Sequence, residues 1–533
     1  MYKKYSQQKV GKEARDLLLK GFENVYDVVC PTLGARGKNI ILHKVFQTRS
    51  INDGVKTAQR VNSKDPFVRA GEDIIKQAGQ QQMDKVGDGT TAALILGYAI
   101  AKEAEKLVSS GVNPMALRTA LEKGRDILIK EIRKLAKPIK TKGEKIAVAT
   151  ISSQSEEIGK LIGETLDKTG VDGSVVVEEA VGPETFIEHQ EGVQIDAGYK
   201  TEYFVTNPAN LTATISNPAV LVTDHNLSNV HELIPLFNDI FNPQNPNRVS
   251  SLFIIADDIT GNVLSTLVQN KIKGTFLTIA IKVPRYQMEQ TLKDLAIVTD
   301  AEFVNKETYP DLKKITAEVL GKAEKITSSK EATIIINGRG SKEAIASRIS
   351  AIKQELEEEK SEFVRVKLKE RLARLTGGVY VINVGGETEV EIDDKKERID
   401  DAVQATKAAI RGGIIPGGEI IYLTIRKALY PSSDEATEYA HRILYNALGL
   451  PFTKLIENAG YNAGQMMEII KQHNSPNIGI DVIIGEPVNV IAKEIIDPAE
   501  VAEYAIRNAV SVAVAIITSD GIIVEVDEDE KGR

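Results

Sequence analysis

Apolar residues recur at helical spacing across residues 12 to 30, through Ala14, Leu17, Leu18, Phe22, Val25 and Val29. That pattern predicts an amphipathic helix. Glycines then punctuate Thr32 to Gly37, and Asn39-Ile40-Ile41-Leu42 predicts a short strand. Asn52-Asp53-Gly54 reads in isolation as a tight turn between strands. Residues 66 to 135 read as almost wholly helical, broken at Gly87-Asp88-Gly89 and at Gly111-Val112-Asn113-Pro114. From about 138 the texture changes. Short β-branched runs at Val175 to Val177, Leu252 to Ile255 and Phe276 to Ile281 alternate with helical segments, which predicts an α/β region. Asn242 to Asn247 is a loop by composition. Two apolar stripes, Ile345-Ile349-Ile352-Leu356 and Leu368-Leu372-Leu375, flank Glu357 to Glu362 and predict a helical hairpin. Helical texture returns after 400 and lasts to about 518.

Composition narrows the function. At ~150 residues per domain, 533 residues suggest three or four domains. A net charge of -8 argues against a dedicated nucleic-acid binder, which carries a basic footprint. One cysteine excludes an intramolecular disulfide framework and fits a reducing compartment, so the expected location is cytoplasmic. The N-terminus lacks the apolar core of a signal peptide, and no run approaches the ~18 apolar residues of a membrane span. None of the six histidines pairs at the i, i+4 spacing of a helical metal site. Cys30 sits in Val28-Val29-Cys30 as an inert, buried thiol, and no Gly-x-Ser-x-Gly elbow occurs. Covalent and zinc chemistry have no support.

The remaining chemistry is anion binding. Gly87-Asp88-Gly89-Thr90-Thr91 opens a strong helix. Glycines let a backbone approach closely, and first-turn amides with the helix dipole favour a phosphate. Asp88 is an oxygen ligand suited to Mg²⁺, which takes one or two carboxylates plus phosphates. The same five residues also suit an ordinary N-cap after a turn. Thr32-Leu33-Gly34-Ala35-Arg36-Gly37-Lys38-Asn39 is glycine-rich and basic but lacks the Walker A spacing. Gly412 to Gly418 reads as a helix C-cap and loop, and Asp400-Asp401 as helix-start acids. No single segment decides between phosphate binding and local capping.

Taken in order, these segments resemble the bacterial, GroEL-type (group I) chaperonins. The likeness runs through Thr32-Leu33-Gly34, Asp53-Gly54-Val55, Gly87 to Thr91, Gly111 to Met115, Ala149-Thr150-Ile151-Ser152, Gly198-Tyr199 and Tyr203-Phe204. It continues through Leu375 to Val379, Thr388 to Glu391, Asp401-Ala402 and Ile496-Asp497-Pro498, nearly the whole chain in collinear order. The resemblance implies a multidomain α+β chaperonin fold. A mostly helical equatorial ATP domain would span 1–135 and 412–533. A small intermediate domain would span 136–191 and 380–411, and an α/β apical domain 192–379. Hinges would lie near Pro138 and Gly413, and near Gly192 and Gly377-Gly378.

By the same resemblance, the chain is an ATP hydrolase that encloses non-native polypeptides in a ring cavity. Asp88 would hold Mg²⁺, with K⁺ as a further candidate ion. Thr32, Gly34, Gly89, Thr90 and Thr91 would hold the phosphates of ATP, and Leu33, Asn52 and Ser152 would belong to the same nucleotide site. Gly418 and Asp497 would face the ribose, and Asp481 with Val482 the adenine. Asp53 and Asp401 would orient the attacking water. Tyr199, Tyr203, Phe204, Ile234, Phe237, Leu264 and Val268 would form an exposed apolar face for clients and for a co-chaperonin lid. The assembly would be a seven-membered homo-oligomeric ring, with no nucleic acid or membrane partner.

This sequence also departs from the family pattern. Asn52 stands where lysine is usual beside Asp53, Gln269 replaces an apolar residue, and Ala197 replaces an arginine. Pro416 and Glu419 alter the glycine cluster. Val283-Pro284-Arg285-Tyr286 stands near the place of a longer Gly-Phe-Gly-Asp-Arg-Arg segment, and no Gly/Met-rich tail follows. A metabolic kinase would need a Walker A or kinase signature, which is missing. The alternative that stays open is a ring-forming or scaffold protein of the same fold with weak or lost ATPase.

Overall fold

The computed structural model describes residues 4–44, 47–51, 53–170, 174–180, 182–207, 211–242, 244–245, 248–283, 288–359, 361–376, 378–473 and 475–527. Asn52, Gly377, Pro284-Arg285-Tyr286 and parts of the Asn242–Asn247 loop and the acidic tail lie outside them. The chain forms two compact units. The outer one joins Met1–Val171 to Glu389–Arg533, and the central one is Asp172–Thr388.

Among the described residues, the first half of the outer unit carries seven helices: α1 (Gly11–Val29), α2 (Gly54–Arg60), α3 (Pro66–Val86), α4 (Thr90–Ser109), α5 (Pro114–Leu135), α6 (Lys142–Ser153) and α7 (Glu156–Thr169). The predicted breaks in the 66–135 stretch are the α3–α4 and α4–α5 junctions. Gly87 ends α3 in the left-handed region, φ 68°, where a side chain is costly. Asn113 caps α5 by accepting from the amides of Met115 and Ala116, with Pro114 in the first turn. Asp53 behaves differently from the turn expected of it. It is the N-cap of α2, so the strand Gln47–Ile51 leads into a helix.

The central unit adds α8 (Ile234–Ile240), α9 (Gly261–Ile272), α10 (Met288–Thr299), α11 (Lys342–Glu358) and α12 (Glu362–Thr376). Its main sheet runs Leu277–Lys282, Ser251–Ala256, Ala219–Thr223, Gly321–Ser328, Thr333–Gly338, Gly192–Ile195. The first three strands are parallel, as the buried β-branched runs require when helices cover both faces. A smaller sheet orders Ser174–Glu179, Val379–Val384 and Phe186–Gln190. α11 and α12 form the predicted hairpin. Asp294 on α10 accepts from Arg348 of α11 at 2.6 Å and from Arg371 of α12 at 2.9 Å, pinning the hairpin to the unit.

The outer unit closes with α13 (Glu389–Gly412), α14 (Ile420–Ile425), α15 (Glu435–Ala447), α16 (Leu450–Asn458), α17 (Ala463–His473) and α18 (Ala499–Ile517). α4 and α18 are apolar nearly all round, and such helices belong in a core. They pack against each other at the centre of a cluster that also takes Phe22, Ile75, Leu121 and Leu444. Lys4–Val10 pairs antiparallel with Gly521–Asp527, so the first and last strands close the unit. No helix among the described residues is long and apolar enough to cross a membrane.

Candidate nucleotide site

The site is assembled on the first turn of α4. Its N-cap, Gly89, has φ 74° and offers no capping side chain, so the opening amides of α4 are left for another acceptor. A Cβ on Gly89 would meet Val501 Cγ1 at 2.4 Å, so glycine is required by space as well as by conformation. Gln82 braces the loop from beneath. Its amide donates to the carbonyls of Asp88 at 2.9 Å and Val501 at 3.0 Å, and its oxygen accepts from Asn508.

Two further loops lie on this turn. Thr32 is buried, its hydroxyl donating to the Val29 carbonyl at 2.8 Å and lying 3.5 Å from the Thr91 hydroxyl. Asn458 donates to the carbonyls of Cys30 and Leu33, each at 3.0 Å, and fixes the path of that loop. Gly34 has φ 88°, and a Cβ there would collide with Leu455. On the other side Asp53 accepts from the Lys56 amide at 2.9 Å. Gly54 lies against the hydroxyls of Thr90 and Thr91. Three segments distant in sequence therefore converge on this turn.

Acidic groups crowd around them. α13 reaches the Gly87 turn, where a Cβ on Gly87 would lie 2.4 Å from Gln404 Cβ and 3.4 Å from the Asp401 carbonyl. Burial and then the charges of Asp53, Asp88 and Asp400 push the Asp401 carboxyl well above the usual carboxylate range. Burial also raises Asp88, against the pull of the Gly89 amide and the Ser152 hydroxyl. Burial carries Asp400 to about 7. Asp497, where Ile414–Pro416 pairs with Ile496–Pro498, rises to about 7 by burial and by the charge of Asp88, although the Gly418 amide opposes this. Glu419 rises to about 8 through burial, Asp497 and Asp88. These carboxylates remain partly open to solvent while protein surrounds them, as expected of the walls of a cleft.

That arrangement fits Mg²⁺ with a phosphate ligand better than a metal held by protein alone. Like charges this crowded call for a cation, and Asp88 acts on Asp401, Asp497 and Glu419 alike. Among the described residues no three His, Cys, Asp or Glu side chains form a metal-binding group. Mg²⁺ commonly takes only one or two carboxylates and leaves the rest to water and phosphate. The buried Ser152 hydroxyl beside Asp88 lacks a well-formed hydrogen bond, as a group awaiting a ligand would.

The remaining predicted residues fall into two sets. Gly418 has φ 67° and lies beside Ile495, next to Asp497. Asp481 accepts from the Ile483 amide on the hairpin Ile478–Asp481/Glu486–Asn489, and Val482 is buried in the small core that holds Leu33. Arg36 donates to the Ile483 carbonyl at 2.8 Å and ties this hairpin to the Thr32 loop. In the central unit, Tyr203 and Ile234 are exposed, and Phe237, Leu264 and Val268 are half-buried at the edge of its core. Tyr199 and Phe204, expected on the same exposed face, are core side chains instead. Tyr199 bridges to Ile281, and Phe204 has no accessible surface. Sequence reasoning missed Ile272, an apolar side chain 70% exposed at the end of α9. It also missed Glu419 as a site carboxylate, because its left-handed backbone, φ 61°, carries no local sequence signal.

The fold is that of a chaperonin. The model of the TCP-1/cpn60 chaperonin family matches residues 25–234 and 247–527, and this chain belongs to that family. Among solved structures it is similar to the chaperonin gp146 from the bacteriophage EL 2 (Pseudomonas aeruginosa), crystallised in the presence of ATP-BeFx. One crystal form superimposes with a TM-score of 0.70 at 19% identity, covering 97% of this chain and 99% of that one. A second form gives 0.63 at 20% identity with the same coverage. At such identities the likeness establishes the chaperonin fold across nearly the whole chain.

Proposed function

We propose that this chaperonin is an ATP-driven folding machine. It hydrolyses ATP in the outer unit and captures non-native polypeptides on the apical part of the central one. The observation that carries this reading is the meeting of Asp53, Asp88 and Asp401, from three separate elements, around the open first turn of α4. Phosphoryl transfer depends chiefly on positioning and charge stabilisation, which such a cluster is suited to supply.

In this reading Asp88 would hold Mg²⁺, which neutralises phosphate charge when bound, and the neighbouring Ser152 belongs to the nucleotide site. The amides after Gly89 and the hydroxyls of Thr32, Thr90 and Thr91 hold phosphate oxygens, with Leu33 and Gly34 beside them; Asn52, which the resemblance adds to this set, lies outside the described residues. Asp497 and Gly418 face the ribose, and Asp481 and Val482 the base. Asp53 and Asp401 orient the attacking water. Asp401 would accept its proton in the ionised form, in which burial and the neighbouring carboxylates make it a stronger base than an ordinary aspartate.

The domains follow the divisions 1–135 with 412–533, 136–191 with 380–411, and 192–379. Homo-oligomeric rings, seven-membered, enclose the client beneath a co-chaperonin lid. Tyr203 and Ile234 make first contact, with Phe237, Leu264 and Val268 behind them. Steady-state ATPase assays combined with negative-stain imaging test the reading. Rings with slow, Mg²⁺-dependent turnover are expected, and monodisperse monomers without turnover would refute it.

A further inference from the structure

Lys56 stands on the first turn of α2, three residues after Asp53, and its backbone amide donates to the Asp53 carboxylate. Its side chain runs the other way, to α13, and forms an ion pair with Glu397. Glu397 lies one helical turn before Asp401 on the same helix. The Lys56 charge reaches Asp401 as well, where it opposes burial and the three neighbouring carboxylates. The two helices otherwise rest largely on different supports. α2 packs on α1, α3 and α4, whereas α13 packs chiefly on α6, α7 and α18. One residue therefore touches Asp53 through its main chain and the helix of Asp401 through its side chain.

We propose that the Lys56–Glu397 pair is a latch of the hydrolytic site, with Lys56 as its positioning residue. It ties α13 to α2 and thereby sets the separation of Asp53 and Asp401. This rests on the hydrolytic reading above. Both side chains are about one-third exposed, 31% and 35%, so the pair contributes little to global stability. Its leverage is geometric, since a misplacement of ~1 Å at a reacting group can cost about a hundredfold in rate. Exposure also lets the pair break and re-form, so α13 can be released without unfolding the unit. Salt weakens such a pair by screening.

The test compares the full chain with Lys56→Met, Glu397→Gln and the charge swap Lys56→Glu/Glu397→Lys. Three quantities are measured: Mg-ATP turnover, binding of a fluorescent ADP analogue, and hydrogen exchange of residues 389–412 without nucleotide. Each single variant is expected to lower kcat about tenfold, with analogue affinity held within about twofold. Each should also speed exchange in α13, and the swap should recover much of both losses. Single variants with wild-type turnover and protection overturn the latch. So does a swap no better than the single variants, or lost turnover with unchanged exchange. If the wild type itself turns over no ATP, the hydrolytic reading falls and exchange alone decides the latch. Unchanged protection of α13 in Lys56→Met then overturns it too.

Discussion

A Cβ placed on Gly54 would lie 2.3 Å from the hydroxyl of Thr91, nearer than any real side chain approaches. The loop that carries Asp53 is therefore laid flat on the first turn of α4. Gly54→Ala should lift that loop and move the Asp53 carboxylate. Overpacking of this kind costs about 1–3 kcal/mol, so the variant should fold with a lowered melting temperature. Its ATPase rate should fall by about a hundredfold, because the reacting geometry is lost. Wild-type turnover in a folded Gly54→Ala protein would show that this contact does not position Asp53.

Asp401 enters the site from α13, far in sequence from the phosphate loops, and is expected to act in hydrolysis more than in binding. Asp401→Ala should retain nucleotide while lowering kcat by about 10²-fold or more, the usual scale for a lost general base. Retained radiolabelled ATP after gel filtration, with little ADP formed, checks this. Unchanged turnover would remove Asp401 from the mechanism.

Glu419 has the clearest pH signature. Its folded pKa, about 8, exceeds the ordinary glutamate value because burial and the charges of Asp497 and Asp88 oppose ionisation. The unfolded chain loses this proton first as pH rises, so the folded state binds more protons across that window. Stability from this group is then complete below about pH 4.5, declines with rising pH, and is gone above about 8. Glu419→Gln should melt higher than wild type at pH 8.5, and the gap should narrow toward pH 5. Melting curves of the nucleotide-free protein across pH 5 to 9 measure it, and a pH-independent gap would contradict it.

The helices of the outer unit were legible because their patterns are strong and their ends chemically marked. α1 follows its apolar stripe, and α5 begins where Asn113 and Pro114 require. The central sheet was legible from runs such as Leu252 to Ile255, which have no polar face to expose. Read locally, the site was legible only as separate loops, each equally well explained by a cap or turn, and it was the collinear order of the motifs along the chain that joined them. What the sequence hid was set by tertiary contact. Asp53 caps a helix because the chain turns onto α4, and local spacing does not register that. Phe204 is buried because the main chain after Thr201 coils into a short 3₁₀ turn that directs its ring inward, leaving Tyr203 outside. Lys56 found Glu397 across a sequence separation that no periodicity reveals.

The hairpin of α11 and α12 depends on one buried acid. Arg371 is almost wholly buried and is answered mainly by Asp294, which also accepts from Arg348. Asp294→Ala would leave a buried guanidinium with, among the described residues, only a distant contact to Glu355. Breaking a buried pair by removing one partner costs about 3–5 kcal/mol. The variant should show early loss of protection in residues 342–376 by hydrogen exchange, with nucleotide binding in the outer unit intact. Protection equal to wild type would mean that the hairpin is held by its apolar stripes alone.

Adjacent aromatics in the central unit should separate client capture from folding. Tyr203 is 68% exposed, and Lys271 holds its turn by donating to the Tyr203 carbonyl at 2.7 Å. Its ring contributes little to the core but offers apolar surface of the kind that a non-native chain also exposes. Tyr203→Ser should leave the melting temperature within about a degree, since exposed positions seldom exceed ±0.5 kcal/mol. It should weaken the capture of a chemically denatured client, read as faster aggregation in a light-scattering assay. Phe204→Ala should do the reverse in origin. Emptying a fully buried ring costs about 3–5 kcal/mol, so any loss of capture there should track loss of folded protein. If Tyr203→Ser, alone and combined with Ile234→Ser, suppresses aggregation as well as wild type, clients are held by another surface.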